Sequence, residues 1–255
     1  MPCEALRVSH EAAQRAHYEQ IGAAYEVHYS DPTSREYRDR FLHAPLFAGL
    51  NLTGMRALDA MSGSGSLSDY LQRKGARVTG LDISPTQIAM YQEKLPDCQA
   101  VCGSMLESGL PDASFDLVAV VGGLHHLHPN VLAAIDEVHR LLRPGGYFCF
   151  TEPHSGSLPD ILRQLWYRFD PLFEENEAAI DVSQLKRANQ HRFDFEIERY
   201  VGNVAYIVVL NSMVLRLPVG LKKYYAGPAM QLESLLNRIL PRLLACYTIC
   251  RWRKL

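Results

Sequence analysis

A glycine-rich loop and a carboxylate downstream of it carry the clearest chemical signal in the sequence. The segment Leu58–Gly65 reads LDAMSGSG, so Gly63 and Gly65 follow directly on an apolar run. Glycines let backbone N–H groups approach a ligand closely, and a helix beginning there would add the positive end of its dipole. Asp82 ends the next apolar run, 17 residues after Gly65. A carboxylate at that place can accept hydrogen bonds from both hydroxyls of a ribose, so the sequence predicts a nucleoside-type ligand.

These residues have two other interpretations besides a ribose site, a helix cap and a dinucleotide site. Asp82 could instead cap the helix predicted to start near Pro85, but Ser84 already suits that position. A dinucleotide fingerprint wants Gly or Ala three residues after its second glycine, and Ser68 stands there instead. The pattern therefore favours a single ribose site over NAD.

Histidines that could act as bases follow two apolar segments near the middle of the chain. His125, His126 and His128 follow one segment, and His154 follows the other. An imidazole with an ordinary pKa of ~6.5 suits proton abstraction, which makes His126 and His154 the candidate catalytic bases. Two alternatives stay open: the His-His pair packs structurally, or no dedicated base is used. No metal site is predicted, because no carboxylate accompanies the histidines at ligand spacing.

The elements that must position these residues alternate in type. Between residues 56 and 151, short apolar runs alternate with amphipathic segments such as Pro85–Lys94 and Val131–Leu142. Strands that are apolar throughout and separated by helices indicate a parallel sheet covered on both faces, which is a Rossmann-like α/β domain. Residues 153–190 look like an inserted helical stretch. His191–Val201 alternates like a half-buried strand, and Cys246–Trp252 is predicted to be the last strand.

Further motifs point to a family. Phe115–Val118, Leu141–Gly146 and Leu124–Leu127, together with the loop and Asp82, resemble the class I S-adenosylmethionine-dependent methyltransferases, in the ubiquinone-biosynthesis-like, type 11 group. The resemblance covers about residues 15–153. It implies a mostly parallel seven-stranded sheet with helices on both faces, an N-terminal helical cap (1–50), and a methyltransferase domain (51–255) with lid segments at 153–190 and about 203–235.

The resemblance also implies S-adenosylmethionine as cofactor and assigns residues to it. The matching positions are Tyr25 on the cap helix, Asp59, Gly63 and Gly65 at the amino-acid end, Asp82 at the ribose, Ile83, Ser104 and Met105 around adenine, and Val121 and Gly122 beneath the methionine moiety. Two positions depart from the family's pattern. Met61 stands where the family usually has its first glycine, and it either narrows the amino-acid pocket or turns into the core. Ser104 replaces the usual acidic residue and can still accept one hydrogen bond.

Composition limits the partners. The net charge is −2, but residues 1–185 carry −10 and residues 186–255 carry +8. We expect a cytoplasmic enzyme, since neither a secretory signal nor a run of ~20 apolar residues is present. Nucleic acid is not expected, because the basic residues are spread among apolar runs. The Val204–Gly220 run fits burial in the core or an oligomer better than membrane contact, which is therefore not expected.

The acceptor is predicted to be a small molecule methylated on O or N, with carbon least favoured. Aromatic residues in Leu165–Phe169 and Tyr200–Tyr206 either line an aromatic or apolar acceptor pocket or pack the lid on the core. Arg192, Arg216 or Lys222 could face an acidic group on the acceptor, or could form a solvated basic surface. A protein that binds S-adenosylmethionine without transferring methyl, as a cyclase or an accessory protein, is the alternative function.

Overall fold

A seven-stranded sheet organises the chain. The computed structural model describes residue 29 and residues 31–167, 178–212, 215 and 217–255. The strand order is β3-β2-β1-β4-β5-β7-β6, and β7 runs antiparallel to both of its neighbours while the other strands run parallel. The strands are β1 (Arg56–Ala60), β2 (Arg77–Asp82), β3 (Gln99–Cys102), β4 (Phe115–Val121), β5 (Leu142–Pro153), β6 (Phe193–Val201) and β7 (Tyr247–Lys254).

Eight α-helices of the described residues flank this sheet or extend from it. They are α1 (Pro32–Arg38), α2 (Ala44–Leu46), α3 (Ser66–Arg73), α4 (Pro85–Lys94), α5 (Val131–Leu141), α6 (Leu158–Tyr167), α7 (Val182–Asn189) and α8 (Lys222–Ile239). Shorter turns are π-helical at Asp39–His43 and Tyr206–Leu210 and 3₁₀ at Leu124–Leu127, Val219–Leu221 and Arg242–Leu244. Within the described ranges, no helix is long and apolar enough to cross a membrane.

Burial on both faces of the sheet explains the apolar strands. In β4, Val118 and Val120 join a core cluster on one face, while Leu117 and Ala119 join a second cluster on the other. Because successive residues of a strand point to opposite faces, every residue of such a strand must be apolar. The predicted α/β fold is therefore confirmed, including the seven strands that the family resemblance implied.

The C-terminal elements follow the prediction with shifted boundaries. The predicted last strand, Cys246–Trp252, is β7 at Tyr247–Lys254, and it follows α8, which ends at Ile239, two residues before Pro241. The buried residues of the apolar Val204–Gly220 run include Ala205 and Val209, which lie in the second core cluster. The division of the chain at residue 50 and the two lid segments stay predictions.

Candidate active site

The loop after β1 is folded by residues with positive φ. Met61, Gly63 and Gly65 have φ of 62°, 51° and 92°. A Cβ at Gly65 would lie 2.9 Å from Cδ2 of Tyr91, so a side chain is excluded there. At Gly63 the nearest atom found is Gln87 Oε1, at 3.8 Å from such a Cβ. Gly63 therefore presents open backbone at the carboxyl edge of the sheet, beside the point between β1 and β4 where the strand order reverses.

Asp82, at the end of β2, is tied to this loop. Its Oδ2 accepts the Gly63 N–H at 2.8 Å, and its Oδ1 accepts the Ser84 N–H at 2.9 Å. Ser84 is the residue that caps α4, since its Oγ accepts the Gln87 N–H at 3.3 Å. Burial raises the pKa of the Asp82 carboxyl, and the backbone N–H groups of Ser84, Gly63 and Ile83 oppose that shift.

Asp59 faces the first turn of α3. Its Oδ2 accepts both the N–H of Ser68 at 3.0 Å and the hydroxyl of Ser68 at 2.7 Å. The Tyr91 hydroxyl in turn donates to Ser68 Oγ at 2.9 Å. Burial raises the pKa of Asp59 to about 7. Ser68, which the sequence marked only as a departure from the dinucleotide pattern, thus joins strand β1 to α3, and Asp59 positions the loop from beneath.

Met61 lies between two loops. A Cβ at Gly123, in the loop after β4, would come within 2.9 Å of Met61 Sδ, so the thioether packs against that glycine. The side chain is partly buried and also contacts the first core cluster. Met61 therefore turns toward the core at the boundary between the loops after β1 and β4.

The predicted adenine side lies at the ends of β2 and β3. Ile83 is half-buried next to Asp82, and Ser104 follows β3 with its Oγ accepting the Leu106 N–H at 3.0 Å. Met105 is buried within the first core cluster. Tyr25, the predicted cap-helix residue, lies outside the described residues. Contacts of these side chains with adenine stay predictions.

A buried carboxylate that sequence reasoning missed fixes the loop after β4. Oε1 of Glu152, near the end of β5, accepts the N–H groups of Gly123 and Leu124 at 2.9 and 2.8 Å. Its Oε2 lies 2.7 Å from Nδ1 of His125. The side chain is fully buried, and that burial raises the pKa of Glu152 to about 7. This clamp sets the backbone at Val121 and Gly122, the predicted positions beneath the methionine moiety.

The predicted histidines separate into different surroundings. His125 is bound to the Glu152 carboxylate, with Nδ1 2.7 Å from Oε2. The ring of His126 stacks on His125 with centroids 3.9 Å apart. His154 follows β5 and lies against Tyr200, with ring centroids 4.4 Å apart, and its Nδ1 has no hydrogen-bond partner among the described residues. Burial, helped by nearby Arg242, lowers the pKa of His154. His154 is therefore held mainly as the neutral imidazole.

Aromatic residues gather where β5 and β6 end and β7 begins. The Tyr247 hydroxyl lies 3.1 Å from the position a Cβ of Gly122 would take, which places this ring beside the predicted methionine site. Tyr206 packs on Tyr247 with centroids 5.0 Å apart, and Tyr200 covers His154. Tyr200 and Tyr206 lie in a stretch predicted from sequence to be aromatic lining, whereas Tyr247 was not predicted and is brought to this edge by the antiparallel pairing of β7 with β5.

Two basic residues predicted to face an acidic acceptor group do not do so. Lys222 is buried and its Nζ contacts Asp31 at 2.6 Å and Ser34 at 2.7 Å. Arg192 precedes β6 at the opposite edge of the sheet and pairs with Asp136 at 2.6 Å. Those assignments were wrong, because pairing with carboxylates far away in the sequence uses both cations. Arg216 lies outside the described residues. Within the described part of the chain, no cluster of three His, Cys, Asp or Glu side chains could hold a metal ion.

Comparison with known proteins supports this geometry. A family model described as "Methyltransferase domain", type 11, matches residues 58–150, which run from β1 to β5 and include both loops of the site. This match identifies a class I S-adenosylmethionine-dependent methyltransferase domain in residues 58–150. S-adenosylmethionine is the cosubstrate of this methyltransferase family.

Individual relatives extend the likeness. The chain is 29% identical over 174 residues to the demethylmenaquinone methyltransferase of Staphylococcus epidermidis, covering 64% of this chain and 70% of that one. It is 30% identical over 191 residues to the fatty-acid O-methyltransferase of Mycolicibacterium smegmatis, covering 71% of this chain and 63% of that one. A SAM-dependent methyltransferase structure from Archaeoglobus fulgidus shares the fold at 16% identity, with a TM-score of 0.60. The superposition covers 91% of this chain and 98% of that one. The chain spans between 41% and 70% of the length of these and other curated relatives.

Proposed function

We propose that the chain transfers the methyl group of S-adenosylmethionine to an oxygen or nitrogen of a small-molecule acceptor, with carbon the least favoured atom, by in-line displacement. The observation that carries the proposal is the Asp82–Gly63 hydrogen bond. It joins the ribose-type carboxylate to the open glycine loop at the point where strand order reverses, which is where α/β sheets bind such ligands.

The chemistry asks the protein mainly for alignment. A bound sulfonium supplies a methyl group that is already electrophilic, so no residue has to activate it. The Glu152 clamp fixes the loop after β4, and Tyr247 lies against that loop at Gly122. Holding an acceptor against this fixed backbone could supply ~7–11 kcal/mol of the barrier reduction.

His154 is the stronger candidate for a base, with His126 the second. The pKa of His154 is lowered, so the imidazole is neutral near pH 7 and can accept a proton from a hydroxyl or an ammonium group. Its Nδ1, to which no described residue is hydrogen-bonded, and its place beside Tyr200 support this role. We expect His154→Ala to lower kcat by ~10²–10⁴-fold at saturating cofactor, and His126→Ala to lower it less. Full activity in both variants would leave positioning alone as the source of catalysis.

The acceptor class is proposed from the aromatic edge and the relatives. The rings of Tyr200, which packs on His154, and of Tyr206 and Tyr247, which pack on each other, line this edge. Relatives whose names state a quinone or a fatty acid act on lipophilic molecules. We therefore favour an aromatic or apolar acceptor. Arg192 and Lys222 are not available to bind the acidic group that was expected on the acceptor, because each is paired with a carboxylate of the chain.

The test is turnover. Purified protein is incubated with S-adenosylmethionine and, separately, with a quinol-type phenol, a long-chain fatty acid and a polar primary amine. Mass spectrometry should show S-adenosylhomocysteine and the methylated product with one of the first two acceptors. Conversion with the amine alone would contradict the acceptor class. Tight cofactor binding with no S-adenosylhomocysteine from any acceptor or from a metabolite extract would favour the non-methylating alternative.

A further inference from the structure

Helix α6 carries an apolar stripe on its solvent side. Leu158, Ile161, Leu162 and Leu165 are between 47% and 60% exposed, and their spacing puts them on one face of the helix. A surface helix of a water-soluble domain normally turns such a stripe inward, so this exposure indicates that another apolar phase covers it.

Two polar residues of α6, Asp160 and Arg163, point inward instead. Asp160 is buried, and its Oδ2 accepts the Gly156 N–H at 3.1 Å while its Oδ1 contacts Arg163 at 2.8 Å. Ser157 Oγ accepts the Asp160 N–H at 3.1 Å. These bonds stabilise the first turn of α6, and with Asp160 buried the apolar stripe lies on the outer face of the helix.

The end of α8 continues this surface. The 3₁₀ turn Arg242–Leu244, which follows α8, packs beside α6. Leu235, Ile239 and Leu243 on this side are 55% to 66% exposed. We define the apolar stripe of α6 together with these three residues as the docking face.

Charges on the same elements are of one sign. The only acidic residues within α6, α8 and the residues up to Cys246 are Asp160 and Glu233, and both are buried. The exposed charged side chains there are Lys223, Arg238 and Arg242. An apolar stripe flanked by cations is complementary to a bilayer with anionic headgroups, which offers hydrocarbon below a layer of phosphates.

The docking face lies at the site's edge of the sheet. Helix α6 begins five residues after β5 ends, and Arg242–Leu244 precedes the start of β7. The end of β5 and the start of β7 lie side by side, since Pro153 is paired with Tyr247. A surface bound through this face would therefore adjoin the aromatic edge around His154 and Tyr200.

We propose that the docking face binds the surface of an anionic phospholipid bilayer, with α6 and the end of α8 lying in the headgroup region. On the proposed function, this orientation lets a lipophilic acceptor pass from the bilayer to the aromatic edge. The sequence does not predict membrane contact, and the apolar run that could have indicated it is Val204–Gly220. The docking face uses different residues.

Vesicle co-sedimentation tests the proposal without any catalytic step. The full chain is mixed with sucrose-loaded vesicles of phosphatidylcholine alone, or of phosphatidylcholine with 30% phosphatidylglycerol, a proportion of roughly the anionic content that attracts basic segments. We expect binding to the anionic vesicles and at least fivefold weaker binding to the neutral ones. Leu162→Ser/Leu165→Ser should weaken anionic-vesicle binding at least tenfold, and Arg238→Gln/Arg242→Gln severalfold.

Matched variants control for general effects of the substitutions. Leu132 and Leu255 are also exposed leucines, at 45% and 67%, and lie outside the docking face. Leu132→Ser/Leu255→Ser should bind vesicles like the wild type, and all variants should bind S-adenosylhomocysteine normally, which shows that they are folded. Absence of vesicle binding by the wild type, or equal loss in the control pair, would overturn the proposal. So would a dimer that Leu162→Ser/Leu165→Ser dissociates, since a second copy would then cover the face. None of these outcomes bears on methyl transfer to a soluble acceptor.

Discussion

The loops after β1 and β4 are held by carboxylates that accept backbone N–H groups, whereas the ends of β5, β6 and β7 are lined by ring side chains. Asp82 fixes Gly63, and Glu152 fixes Gly123 and Leu124. His154 and Tyr247, by contrast, meet their neighbours through ring contacts. Bonds to backbone allow little variation in geometry, but ring contacts tolerate many shapes. On the proposed function, the cofactor side is therefore held more rigidly than the acceptor side.

Removal of the Glu152 carboxylate should have the largest effect, because it fixes the loop after β4. Glu152→Ala leaves buried N–H groups of Gly123 and Leu124 without an acceptor, at ~1–3 kcal/mol for each unsatisfied donor. We expect the free energy of unfolding to fall by ~3–5 kcal/mol, measured by urea denaturation. Glu93→Ala, on an exposed face of α4, is the control and should change stability by under ~0.5 kcal/mol. A loss of less than ~1 kcal/mol at Glu152 would mean that the loop holds its own conformation.

Asp82 tests whether the fixed side binds the cofactor. Asp82→Ala should weaken S-adenosylhomocysteine binding by ~10–100-fold in calorimetry, because it removes charge-assisted hydrogen bonds worth ~1.5–3 kcal/mol. Asp136→Ala, at the opposite edge of the sheet, should leave the affinity unchanged. Unchanged affinity in the Asp82 variant would remove this carboxylate from the site.

The two sides also differ in how far sequence could predict them. Asp82 was predictable because its strand, its loop and its helix cap are encoded within some twenty residues. Glu152 was missed although a charged residue directly after an apolar strand is a warning of burial, because its partners lie 27 to 29 residues upstream. Tyr247 and Lys222 depend on β5–β7 pairing and on contact with α1, and local patterns carry no information about such long-range pairing.

Asp59 provides a smaller effect, on pH dependence. Its pKa of about 7 lies above the ~3.9 of an unfolded aspartate, so the native state binds more protons between those values. Its contribution to stability is therefore present at low pH and is lost as pH rises toward 7. Asp59→Asn cannot ionise, and from pH 5 to pH 7 its Tm should fall ~2–4 °C less than that of the wild type. Asp194→Asn, on an exposed position of β6, should keep the wild-type slope; equal slopes in all three proteins would place the proton elsewhere.

Met61 lies on the boundary between the fixed loops and should give the smallest effect. Met61→Gly relieves a positive φ that costs an L-residue ~1–2 kcal/mol, but it also removes a partly buried side chain packed on Gly123. The two terms oppose each other, so we expect stability within ~1 kcal/mol of wild type and S-adenosylhomocysteine affinity within threefold. Ala113→Gly is the matched control, because Ala113 also has a positive φ, 47°, and is exposed. This substitution relieves the backbone strain and removes almost no packing, so it should stabilise the protein. If Met61→Gly instead bound the ligand more than tenfold tighter, the thioether would be narrowing the amino-acid pocket, and the cofactor side would be less constant than its backbone bonds imply.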